Sequence, residues 1–153
     1  MNKMIKRIGT LTLSLAIAGT AVAVTGTAAE AATGQMFKDV ATSFCLDSNT
    51  ARSVYTNPCG SGNNFQHWTV ISQASGVMLK NVSTGFCLDS NTARSVYTNP
   101  CGSGNNFQHW TVIRHTNGLM FKDVATGFCL DSNTSRSVYT NPCGASNNFQ
   151  HWT

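Results

Sequence analysis

Beyond residue 31 the apolar residues come in short runs, broken every few positions by Asn, Pro, Gly or Ser, and no stretch keeps a helical period. Runs at 36–40, 44–46, 53–56 and 65–71 read as strands, with the polar breaks between them as turns. In the last run, alternation puts Gln66, Trp68 and Val70 on one face and Phe65, His67 and Thr69 on the other. The face that carries the tryptophan is predicted to meet the core.

This pattern recurs every 42 residues, as Cys45, Cys87 and Cys129, then Cys59, Cys101 and Cys143, then Trp68, Trp110 and Trp152. The copies are 34–75, 76–117 and 118–153. Residues 44–71 and 86–113 are identical, and the third copy differs over its shared length only at Ser135, Ala145 and Ser146. Four short strands per copy give about twelve strands in all. One such unit is too small to bury a core alone, so the copies must close on one another. A solenoid needs polar capping ends and a propeller usually has four or more blades. Three equal units about an axis predict an all-β fold, a β-trefoil.

The first 31 residues have a different pattern. Lys3, Lys6 and Arg7 precede an apolar run over 8–24, and Ala29-Glu30-Ala31 fits a small-x-small cleavage site. That is the layout of a secretory signal peptide, and it predicts a secreted, extracellular chain starting near Ala32. An uncleaved anchor helix is the competing reading, but the run is short and interrupted by Gly9, Thr10, Thr12, Ser14, Gly19 and Thr20. Export makes disulfides the expected state of the six cysteines; without a close Cys-x-x-Cys pair, zinc is disfavoured and no metal or cofactor is expected. If the copies fold alike, two pairings stand out. Each copy closes its own loop (Cys45 to Cys59, Cys87 to Cys101, Cys129 to Cys143), or each is tied to the next. The first is favoured because it closes short loops and keeps each copy self-contained.

Charge narrows the partners. Beyond residue 31 there are seven cations (Lys38, Arg52, Lys80, Arg94, Arg114, Lys122, Arg136) and five anions (Asp39, Asp47, Asp89, Asp123, Asp131), a net +2. So small an excess argues against nucleic acid. A surface wetted mainly by Asn, Ser, Thr and Gly suits a neutral polar partner such as a glycan.

The loop between the paired cysteines holds Asp47, Asn49, Arg52, Tyr55 and Asn57, with Asn63 and Asn64 just outside it. A carboxylate accepts sugar hydroxyls, an amide donates and accepts, and an aromatic ring covers the C–H face of a sugar. The same residues are also ordinary turn chemistry. Hydrolysis of a glycoside needs two carboxyls flanking one bond, whereas each copy has a single Asp common to all three. Asp39 and Asp123 match Asn81 in the middle copy, and no nucleophile elbow is present. No enzyme is therefore expected. A protease inhibitor would use one protruding loop, and near-identical copies offer none that is unique.

Cys-Leu-Asp at 45–47 with Gln66-His67-Trp68, repeated at 87–89 with 108–110 and at 129–131 with 150–152, resembles the ricin B-type lectin repeat and its Gln-x-Trp signature. The match spans essentially everything after residue 31. Within that family the string is most similar to a lectin for high-mannose glycans. The resemblance implies that Asp47, Asp89 and Asp131 accept sugar hydroxyls and that Tyr55, Tyr97 and Tyr139 line three shallow pockets. It implies a pocket Asn, assigned to Asn63, Asn105 and Asn147, with Asn64, Asn106 and Asn148 next; this sequence has one extra residue in that loop. Asn57, Asn99 and Asn141 stand where the mannose-binding relative has an aliphatic residue, a departure that bears on sugar choice. Galactose- or xylan-type glycans are the alternative ligands. Gln66 and Trp68 with their copies are expected to be structural, His67 to be a partly buried strand residue, and Arg52, Arg94 and Arg136 to solvate loop tips. A monomer engaging a glycan through several weak sites is expected.

Overall fold

The Cys-Leu-Asp-Ser and Val-Tyr-Thr-Asn strings are short, rich in β-formers and joined by a five-residue polar turn, which favours a local hairpin. The computed structural model describes residues 34–153; the expected signal peptide and its cleavage site lie outside the described residues. Its strands are β1 (Cys45–Ser48), β2 (Val54–Asn57), β3 (Trp68–Gln73), β4 (Gly76–Asn81), β5 (Cys87–Ser90), β6 (Val96–Asn99), β7 (Trp110–His115), β8 (Gly118–Asp123), β9 (Cys129–Ser132) and β10 (Val138–Asn141).

β1–β2, β5–β6 and β9–β10 form three hairpins in one register, which sets Asp47 opposite Tyr55, Asp89 opposite Tyr97 and Asp131 opposite Tyr139. The hairpins hold one another in a ring: Thr98 N donates to Arg52 O (3.0 Å), Thr140 N to Arg94 O (3.0 Å) and Thr56 N to Arg136 O (2.9 Å). Below this cap lies a barrel. β3 pairs with β4, β4 with β7 and β7 with β8. Single bridges complete the circle, from Leu119 to Trp152, from Trp152 to Asp39 and from Gln35 to Trp68. This three-unit architecture is the β-trefoil that the repeat predicts.

The barrel and the cap share one core, built in threefold layers. Trp68, Trp110 and Trp152 are fully buried, with Leu46, Leu88 and Leu130 beside them and Phe37, Leu79 and Phe121 in a further layer. Each indole N–H donates to the carbonyl of the leucine in its own copy, at 3.0, 3.3 and 3.4 Å, so burying the ring leaves no polar orphan. Glycine is required where barrel strands cross: a Cβ on Gly76 would lie 2.6 Å from Trp110 O, and Gly76 has φ +150°.

The cysteines pair within copies, Cys45–Cys59, Cys87–Cys101 and Cys129–Cys143, and no cysteine is free among the described residues. The expected strand over 65–71 begins later, at Trp68. Asn63 accepts from Phe65 N and caps a 3-10 turn over Asn64–Gln66, which takes Phe65 and Gln66 out of the strand. Gln66 and Trp68 are buried as the alternation predicts, but Val70 is 40% exposed. It lines a cavity of about 370 Å³ with Phe37, Val77, Val112, Leu119 and Phe121. The expected strand over 36–40 is a six-residue strand in the second and third copies and only a set of isolated bridges in the first.

Candidate functional site

The first strand of each hairpin carries a buried carboxylate as its third residue. Asp47, Asp89 and Asp131 are each 2% exposed, and a charge so deep requires donors. Asp47 Oδ2 accepts from Asn57 Nδ2 (3.3 Å), Asn63 Nδ2 (3.2 Å) and Gln66 Nε2 (3.0 Å). The same three donors surround Asp89 and Asp131 at 3.0–3.2 Å. In the first two copies the other oxygen, Oδ1, is buried and meets no donor of the protein. Buried acceptors are nearly always satisfied, so this oxygen is suited to a hydroxyl brought from outside. With so little of it exposed, a ligand reaches it only as the half-buried rim side chains adjust.

Gln66 also accepts from Gly60 N (2.8 Å) and donates to Pro58 O (3.0 Å), which ties the loop after the disulfide to the carboxylate. Asn63 is engaged at both ends, Oδ1 on Phe65 N and Nδ2 on Asp47. It is therefore part of the frame that orients Asp47, with one N–H and one lone pair left for a ligand. Asn64 and Asn106 are exposed, and Asn148 accepts from Asn117 Nδ2 (2.8 Å). Asn49 accepts from Ser53 N (3.0 Å) and shapes the hairpin turn.

Tyr55 is half-buried across the hairpin from Asp47, and its hydroxyl donates to Ser48 O (3.2 Å). Tyr97 and Tyr139 do the same at 3.1 Å. Burial first, and the Asp47 charge second, push the Tyr55 hydroxyl above its ordinary value of 10.0, while Asn49 pulls the other way. The hydroxyl is thus a neutral donor whose lone pairs can still accept.

The arginines do more than solvate loop tips. Arg136 Nη1 donates to Asn57 Oδ1 (3.1 Å), Arg52 to Asn99 (2.9 Å) and Arg94 to Asn141 (2.9 Å). Each guanidinium also lies over a phenylalanine of the copy it reaches, Arg136 over Phe44, Arg52 over Phe86 and Arg94 over Phe128, at 4.9–5.1 Å from the ring centre. Every cluster therefore runs from an arginine of one copy through Asn57, Asn99 or Asn141 to the Asp of the next. Both residue types recur at the 42-residue period, but their pairing depends on the order of hairpins around the cap, which periodicity does not reveal.

His67 is half-buried with Nδ1 on Asn63 O (2.9 Å), and His151, fully buried, makes the matching bond at 3.0 Å. His109 instead meets Ser75 Oγ. Asp39 and Asp123 are fully buried in the barrel and take Ser132 Oγ and Ser90 Oγ, far from the hairpin carboxylates in role.

The fold and the site together define a threefold β-trefoil with three repeated polar clusters. The family of the Ricin-type beta-trefoil lectin domain matches residues 32–152, and the chain belongs to it. Solved structures agree on the fold. The cytolethal distending toxin of Haemophilus ducreyi is similar with a TM-score of 0.68 at 16% identity, over 81% of this chain and 83% of that one. ThreeFoil, a designed threefold-symmetric protein, is similar with a TM-score of 0.68 at 19% identity, over 76% and 94%. An endo-β-galactosidase of Clostridium perfringens has a TM-score of 0.73 at 12% identity, but this chain covers 32% of it and so matches one part. No curated protein matches the chain.

Proposed function

We propose that this protein is a secreted lectin that holds glycans in three equivalent shallow pockets, one per hairpin, without turning them over. Membership of the lectin family supports carbohydrate binding. The observation that carries the site is the half-satisfied carboxylate: Asp47 and Asp89 each present one oxygen locked by three amides and one without a protein donor. Tyr55 and Tyr97 stand opposite, where a ring can cover a sugar face.

High-mannose glycans are the proposed ligands. Leu-Asp-Ser-Asn, Val-Tyr-Thr, Pro and Gln-x-Trp in this order resemble actinohivin, a small secreted lectin for such glycans. Each pocket alone is weak, and linked engagement of several raises avidity by roughly 10²–10⁴-fold where the glycan spans them. The test is a binding panel of a high-mannose oligosaccharide, galactosides and xylan fragments with the oxidised protein. Binding to the first is expected. Binding only to galactose or xylan overturns the mannose assignment, and no binding to any sugar overturns the lectin reading.

A further inference from the structure

We infer that the three arginines give each pocket an anion-binding rim, so that an acidic substituent on the bound sugar, a carboxylate or a sulfate ester, tightens its binding relative to the neutral parent. This rests on the carbohydrate reading above and deepens it. Arg52, Arg94 and Arg136 adopt left-handed backbone conformations at φ 69°, 67° and 67°, unusual for a residue with a side chain. In this conformation each side chain crosses to the neighbouring hairpin. There the guanidinium is fixed twice, by its face on Phe86, Phe128 or Phe44 and by its edge on Asn99, Asn141 or Asn57. A cation that only wets a loop tip needs neither anchor, and here both occur three times.

The bond to the Asn uses one of the guanidinium's five N–H donors, and the arginines are exposed. A planar fork with unused donors matches a carboxylate or sulfate better than a hydroxyl. The Asn that fixes the guanidinium also donates to the pocket Asp, so the anion site and the hydroxyl acceptor are separated by one amide. One sugar ring can bridge them, with its hydroxyls toward Asp89 and an exocyclic anion toward Arg52. Without the arginine, the Asp charge would repel such a ligand.

The experiment is an NMR titration of the oxidised protein with methyl α-mannoside, its 6-carboxylate and its 6-sulfate, and with the galactose and glucose series. Sodium sulfate and sodium acetate serve as bare anions. One acidic form in at least one series is expected to bind about tenfold more tightly than its neutral parent at low salt, the size of a partly screened charge-assisted contact. The advantage should shrink in about 0.5 M salt, as screening requires. In the triple variant R52Q/R94Q/R136Q, with its melting midpoint checked, the ratio of acidic to neutral affinity should fall to one or below. Acidic sugars that bind no better than neutral ones overturn the inference while leaving the lectin reading intact. So does an equal loss of both in the triple variant, which would make the arginines positioning residues for Asn57, Asn99 and Asn141. Bare sulfate or acetate binding as tightly as the acidic sugar overturns it too. If no sugar binds, both readings fall.

Discussion

The hairpin cap and the barrel come from the same three repeats, yet they keep threefold symmetry unequally. In the cap, the bonds onto each Asp, from each Tyr and from each Arg recur with distances that agree within about 0.2 Å across copies. In the barrel, Leu79 takes the position that Phe37 and Phe121 hold in the other copies, and His109 takes a different partner from His67 and His151. The reason is in the wiring. The bonds around each cap Asp, Tyr and Arg join residues that are identical in all three copies, whereas some bonds to the barrel join positions that have diverged. Ser132 Oγ donates to Asp39 Oδ2 (2.7 Å), and Ser90 bonds Asp123 in the same way. Ser48 would meet Asn81, but that amide donates to Phe65 O (2.8 Å), and Ser48 Oγ is left buried without a partner. One substitution in the second copy thus leaves an orphan in the first.

This contrast can be broken at several points. The largest effect should come from Asp47→Ala, which strands the three amides of Asn57, Asn63 and Gln66. A loss of about 3–5 kcal/mol is expected by urea unfolding. Asp89→Ala and Asp131→Ala should match it within about 0.5 kcal/mol if the cap is truly symmetric. Removing one disulfide by replacing both cysteines should cost about 3 kcal/mol whichever copy is chosen, since each closes a loop with the same sequence separation of 14. The barrel should behave otherwise. S90A and S132A each remove a hydrogen bond to a buried carboxylate and should cost about 1.5–3 kcal/mol, while S48A removes an orphan and should cost under about 0.5 kcal/mol. Equal costs in all three would show that Ser48 has a partner after all. The smallest effect concerns Tyr55, Tyr97 and Tyr139. Their folded pKa values lie above the unfolded 10.0, so their contribution to stability is whole below that pH and is lost as pH rises through the raised values. An absorbance titration should show the three ionising together in the native protein, later than after denaturation.

Much of this was legible in the sequence because the repeat makes local chemistry visible. The 42-residue period is read by aligning the copies, the Trp core face follows from neighbouring residues, and the within-copy cysteine pairing, favoured in the sequence over a copy-to-copy one, is the pairing found. The start of the last strand was not legible, because the Asn63 cap that turns Phe65 and Gln66 into a 3-10 turn competes with an equally good strand pattern. Asn63 is read as a pocket residue, and its amide also braces Asp47, which the sequence does not show. The arginine contacts lie furthest from sequence reasoning. Arg52 and Asn99 are 47 residues apart, and only the order of hairpins around the cap brings them together.

The central claim is that three equivalent carboxylates each hold one sugar. Asp→Asn is the most direct probe, because one amide oxygen can keep the three donors while its NH₂ replaces the Oδ1 acceptor with a donor. Calorimetric titration of the oxidised protein with a short mannose oligosaccharide should give three sites per chain. The count should fall to two, one and none as D47N, D89N and D131N are combined, with the melting midpoint monitored throughout. A count that stays the same in the folded triple variant would contradict the account.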